Sequence, residues 1–86
     1  MKYTNNYYLI DKYIGEHIKD KRIKMGIPLV DFAGKFNMSK NRFFNYEAGI
    51  RTMPLDTYYD VCKALKIDAE KLFKEAQEYM RKETFK

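Results

Sequence analysis

Five residues punctuate the middle of the sequence: Gly26, Pro28, Asn37, Gly49 and Pro54. The stretches between them are too short for anything but brief elements. Each proline precedes a helical pattern, where proline suits the first turn because its missing N–H would be unpaired there anyway. Glycine after an apolar stripe ends a helix, and asparagine tolerates the left-handed backbone that a tight turn needs. No stretch sustains apolar/polar alternation, and there is no Asn-Gly or Asp-Gly hairpin turn. The chain therefore reads as all-α, a series of short helices.

A first helix covers about residues 10–25, with Ile10, Ile14, Ile18 and Met25 on one stripe. Arg22 falls on the same stripe, four residues after Ile18, and a charge there needs a partner. A second helix, about 28–36, turns Leu29, Phe32, Ala33 and Phe36 inward. Asn37 and Met38 make the turn, and Ser39 is a good N-cap for a third helix, about 40–47. A fourth runs from Pro54 to about 65 with Leu55, Tyr58, Val61, Cys62 and Leu65 on one side. Asp68 caps a fifth, which has room to continue into a longer C-terminal helix carrying Phe73, Ala76, Tyr79 and Met80. Those four side chains serve equally well to close the monomer core or to pair two subunits. Residues 1–9 either extend the first helix from an Asn5 cap or form an arm. The expected organisation is thus an arm or extension (1–9), a compact five-helix bundle (10–73) and a C-terminal helical extension (74–86).

Within "SKNRFFNYEAG", residues 39–49, two adjacent phenylalanines interrupt a polar run. Neighbours on a helix point about 100° apart, so Phe43 and Phe44 cannot share one core. Projection at that angle puts Lys40, Asn41, Phe44 and Asn45 on one face. Phe43 and Tyr46 fall on the other, with Glu47 at its edge. Phe43 is the expected anchor, and Phe44 is left in the middle of the polar face.

Charge points to a partner. Residues 19–51 hold eight basic side chains and three acidic ones, which is the whole formal excess of +5; the remaining segments cancel. A basic middle between neutral ends suggests a polyanion. At 86 residues the chain has one modest core and little room for a catalytic cleft. No metal-ligand cluster, phosphate-binding glycine loop or nucleophile–base pair is visible, so neither an enzyme nor a cofactor or metal is expected. His17 and the lone Cys62 read as packing or surface residues. With one cysteine there is no internal disulfide, which fits a reducing, cytoplasmic setting. No apolar run approaches the roughly 18 residues of a membrane span.

Two short helices joined by a tight turn, the second capped by serine and polar outside, form a helix-turn-helix. The blocks "IGEHIKDKRIKMGI", "DFAGKFNMSKNRFFNYEAGIR" and "LDTYYDVCKALKI" also resemble, in order, the Cro/phage-repressor type helix-turn-helix family over about residues 13–73. The resemblance implies a five-helix bundle that docks its third helix in the DNA major groove. It implies a buried ion pair between Arg22 and Glu47. It places base reading on Lys40, Asn41 and Asn45, to which the outward Phe44 is added, and phosphate contacts on Ser39, Arg42 and Arg51. The chain departs from that family where the second helix usually opens with Ser-Gln: Pro28 and Leu29 stand there, which implies one phosphate contact fewer. Asn37 replaces the glycine usual in the turn.

The expected function is sequence-specific binding of double-stranded DNA, as a transcriptional regulator acting as a homodimer. Control would come from concentration, a regulatory protein partner or removal of the protein. The alternative is a helix-turn-helix used for protein interaction, such as an antitoxin or a repressor antagonist, which Pro28, Leu29 and the exposed aromatic favour.

Overall fold

The computed structural model describes residues 8–84. They form five helices: α1 (Tyr8–Lys24), α2 (Leu29–Lys35), α3 (Lys40–Glu47), α4 (Leu55–Leu65) and α5 (Ala69–Thr84). There is no strand among the described residues, and the fold is an all-α five-helix bundle. The expected Asn5 cap lies outside the described residues. Tyr8 and Leu9 are already helical, and α5 runs unbroken across the 73/74 boundary. A helix as short as α2 or α3 is not stable alone in water, so both depend on what they pack against.

The core is built from the inward stripes. Ile14 and Ile18 of α1 meet Phe32 and Ala33 of α2, Phe43 and Tyr46 of α3, Val61, Cys62 and Leu65 of α4, and Leu72 and Ala76 of α5. Phe32 meets both Phe36 and Phe43 edge to face, with ring centroids 5.2 and 5.3 Å apart, an arrangement that adds to the area they bury. α5 packs chiefly on α1 and returns antiparallel along it, so that Tyr79 lies 5.3 Å from Tyr13, which in turn stacks on His17. Ala76 is therefore a monomer core residue and Tyr79 is half-buried against α1, whereas Phe73 stays exposed. The Tyr58 hydroxyl donates to the Ala69 carbonyl and ties α4 to the start of α5. Burial pushes the Tyr58 hydroxyl well above its ordinary range and the neighbouring Cys62 thiol up to about 11.

Two inward assignments are corrected. Met25 is exposed because α1 ends at Lys24, and the chain then turns through Gly26 at a φ of +71°. Leu55 is 69% exposed. It shares the azimuth of Cys62 but sits at the first turn of α4, beyond the end of the core.

Arg22 and Glu47 are both buried and paired. Arg22 Nε donates to Glu47 Oε2 at 2.7 Å and Nη2 to Oε1 at 3.1 Å, while Nη1 donates to the Ile27 carbonyl at 2.7 Å. Among the described residues no buried side-chain nitrogen or oxygen lacks a hydrogen-bond partner. Gly15 lies directly over the end of α3: a Cβ there would stand 2.5 Å from the carbonyl oxygens of both Tyr46 and Glu47.

Two predictions come from this contact. Glu47→Ala strands a buried guanidinium and is expected to cost about 3–5 kcal/mol, read as a large drop in the thermal midpoint by circular dichroism. Gly15→Ala and Gly34→Ala should have opposite signs. The first drives a methyl into backbone and should destabilise by at least about 1–3 kcal/mol. The second meets nothing within 4 Å and should stabilise α2 by roughly 0.5–1 kcal/mol. Denaturant titration of the two variants side by side checks both signs.

Candidate nucleic-acid interface

The turn that sets α3 is made by local chemistry. Asn37 adopts the left-handed conformation at a φ of 57°, as its residue type suggested. The N–H groups of Phe36 and Met38 close back on the Ala33 carbonyl at 3.0 and 3.1 Å. Met38 packs on the core, and Ser39 Oγ then accepts the Arg42 N–H at 3.1 Å, capping α3. The cap satisfies one of the orphan donors at the helix start.

With its inner face fixed by Phe43, Tyr46 and Glu47, α3 has one orientation. Lys40, Asn41 and Phe44 are exposed and Asn45 is half-buried, all on one face. Phe43 is fully buried while Phe44 is 50% exposed. The polar ends of Lys40, Asn41 and Asn45 bond to no other described residue. The face is thus a row of unused donors and acceptors around one phenyl ring.

Arg42 is exposed beside this face, and its Nε donates to the Tyr46 hydroxyl at 3.3 Å. That bond holds the side chain along α3, and its Nη groups bond to no other described residue. Arg51 is exposed just beyond α3. The N–H groups of Ile50 and Arg51 both close on the Asn45 carbonyl, at 2.9 and 3.3 Å, so the chain folds back under the helix end. Ser39 is exposed with its oxygen engaged in the cap. At the start of α2, Pro28 supplies no side-chain cap, Leu29 packs partly on the core and Val30 is exposed, so this corner offers no polar side chain to a phosphate.

Three positioning residues were missed in the sequence. Thr52 Oγ1 donates to Asp11 Oδ2 at 2.6 Å, which fastens the α3–α4 connection to α1. Gly49, expected only to stop α3, also lets that connection touch α1: a Cβ there would lie 2.7 Å from Lys12 Cα. Gly15 does the same for α3 itself. A glycine in the middle of an otherwise apolar-striped helix was the available signal for Gly15; the Thr52–Asp11 bond spans 41 positions and left none.

Among the described residues no group of three or more His, Cys, Asp or Glu side chains is placed to hold a metal, and no helix is long and apolar enough to cross a membrane. No protein-family model matches the chain, and no curated protein matches it significantly.

The two phenylalanines should separate cleanly. Phe43→Ala is expected to destabilise the domain by about 3–5 kcal/mol, as large-to-small core changes do. Phe44→Ala should leave the denaturation midpoint close to wild type. Equal losses in the two variants would mean that Phe44 is a packing residue.

Proposed function

We propose that the protein binds double-stranded DNA at specific sequences, with α3 in the major groove, and regulates transcription as a homodimer. The observation that carries this reading is the outer face of α3. It offers Lys40, Asn41 and Asn45 with unused hydrogen-bonding groups around an exposed Phe44, on a helix whose inner face is locked to the core. Lysine donates to guanine O6 and N7, and asparagine pairs in two-pronged fashion with adenine N6 and N7. The phenyl ring suits the C5-methyl group of thymine. Ser39, Arg42 and Arg51 lie at the two ends of the helix, where phosphates flank a groove-bound helix. The basic excess over residues 19–51 and the resemblance to Cro/phage-repressor proteins support the same reading.

A second reading, the protein-interaction module, is favoured by one observation. Ile23, Met25 and Val30 are all exposed around the α1–α2 corner, beside Pro28 and Leu29. A surface of this kind suits a protein partner more than a phosphate.

Salt and base substitution distinguish the two. Affinity for duplex DNA should fall steeply as salt rises, because each neutralised phosphate releases counterion. Lys40→Ala, Asn41→Ala and Asn45→Ala should each cost roughly 1–3 kcal/mol, and only at particular base pairs. Phe44→Ala and replacement of the contacted thymine by uracil should cause similar losses. Half-sites selected from random duplexes should lie about 10–10.5 bp apart, centre to centre. Absence of binding to any duplex at low salt would favour the protein-interaction module.

A further inference from the structure

A groove of about 580 Å³ opens between α1, α4, α5 and the connection from α3 to α4. Ile10, Ile14, Met53 and Tyr58 line it, and Leu55 and Phe73 stand at its rim, 69% and 43% exposed. We propose that this groove is a two-fold interface between two copies of the chain, with Leu55 of each copy seated in the groove of the other.

Three features select a second copy as the occupant. The first is shape. A two-fold contact uses the same patch on both partners, so the patch must hold both a projection and a hollow. Leu55 projects from the first turn of α4 directly beside the hollow. Leu55 and Phe73 are 69% and 43% exposed although they line the groove, and the broad face of a second copy covers them.

The second feature is charge. A chain with a net charge of +5 repels its own copies, and two of them can meet most easily where that excess is absent. Among the described residues the groove is lined by two charged side chains, Asp11 and Arg51, of opposite sign, and Asp11 is already held by Thr52.

The third is position. Tyr46, from the last turn of α3, and Met53, from the connection after it, both line the groove. Lys40, Asn41, Phe44 and Asn45 do not line it, so a partner seated there leaves them open in both copies, while Arg51 is common to the two surfaces. This third feature rests on the DNA-binding reading, whereas the first two do not.

Sedimentation equilibrium of the full chain without DNA is the test. The wild type should be dimeric at high micromolar concentration. Leu55→Asp loses two buried leucines per dimer and places two carboxylates against apolar surface, so its dissociation constant should rise by at least about a hundredfold. Phe73→Asp should act in the same direction, and Phe44→Ala, which does not line the groove, should leave the dimer intact. Helical circular dichroism shows whether each variant is folded, and with two exposed positions to change, one folded variant suffices. A monomeric wild type, or folded Leu55→Asp and Phe73→Asp proteins that dimerise like wild type, would overturn the interface. A dimer that binds no duplex keeps the interface and removes the DNA reading. A monomer that binds duplex DNA does the reverse.

Discussion

The bidentate contact between Arg22 and Glu47 is the constraint on which the rest of the bundle depends. It joins the last turn of α1 to the last residue of α3, and through Ile27 it also holds the turn that leads into α2. Desolvating two charges is costly, and apolar residues of similar volume often pack as stably. What the pair provides in addition is geometry: two parallel hydrogen bonds fix the direction of a planar guanidinium against a carboxylate. Gly15 makes the same approach possible from the backbone side. Without a side chain there, α1 lies against the carbonyls that end α3. One contact region thus sets where α3 sits, how it is rotated and where the chain leaves it.

That rotation explains the adjacent phenylalanines. An eight-residue helix contributes little stability of its own. It persists because Ser39 caps it, Phe43 and Tyr46 enter the core and Glu47 is paired. These contacts use one side and leave no inward position for Phe44. Propensity would not choose phenylalanine for an exposed helix position, so its presence there is best accounted for by a contact on that face.

Much of this was legible in the sequence because it depended on local chemistry or on azimuth. Ser39, Asp68, Asn37 and Gly26 occupy the caps and turns that their residue types favour. Arg22 and Glu47 stood out as charges on or beside apolar stripes. The failures share a physical cause. A helical projection gives the angle of a side chain but not its height along the axis, so Leu55 and Met25 were placed inward although each sits past the end of the core. The groove was not legible at all. Its walls come from helices distant in the sequence. The face of α3 was readable as a surface, but its partner was not, because unused donors and acceptors identify a chemistry and not a molecule.

The two proposed surfaces are governed by different physics, and this bears on how so small a chain could be controlled. The proposed contact with DNA through Lys40, Arg42 and Arg51 would be electrostatic and would weaken steeply with salt. The proposed contact through Leu55 and Phe73 would be apolar, and salt would not weaken it, because screening would only lessen the repulsion between two copies of charge +5. A dimer neutralises about twice as many phosphates as a monomer, so its affinity falls about twice as steeply on a logarithmic salt scale. Assembly and DNA occupancy would then be linked reciprocally: a duplex that binds the dimer better would also favour assembly. Protein concentration would set the fraction of dimer, and the dimer would set both the affinity and its sensitivity to salt. A protein partner that took up Leu55 and Phe73 would block assembly without covering Lys40, Asn41 or Phe44, and so would reduce occupancy while leaving the proposed base-reading face open. Such control would rest on a separation that the fold provides in part: Lys40, Asn41, Phe44 and Asn45 do not line the groove, whereas Arg51 belongs to both surfaces and would couple them.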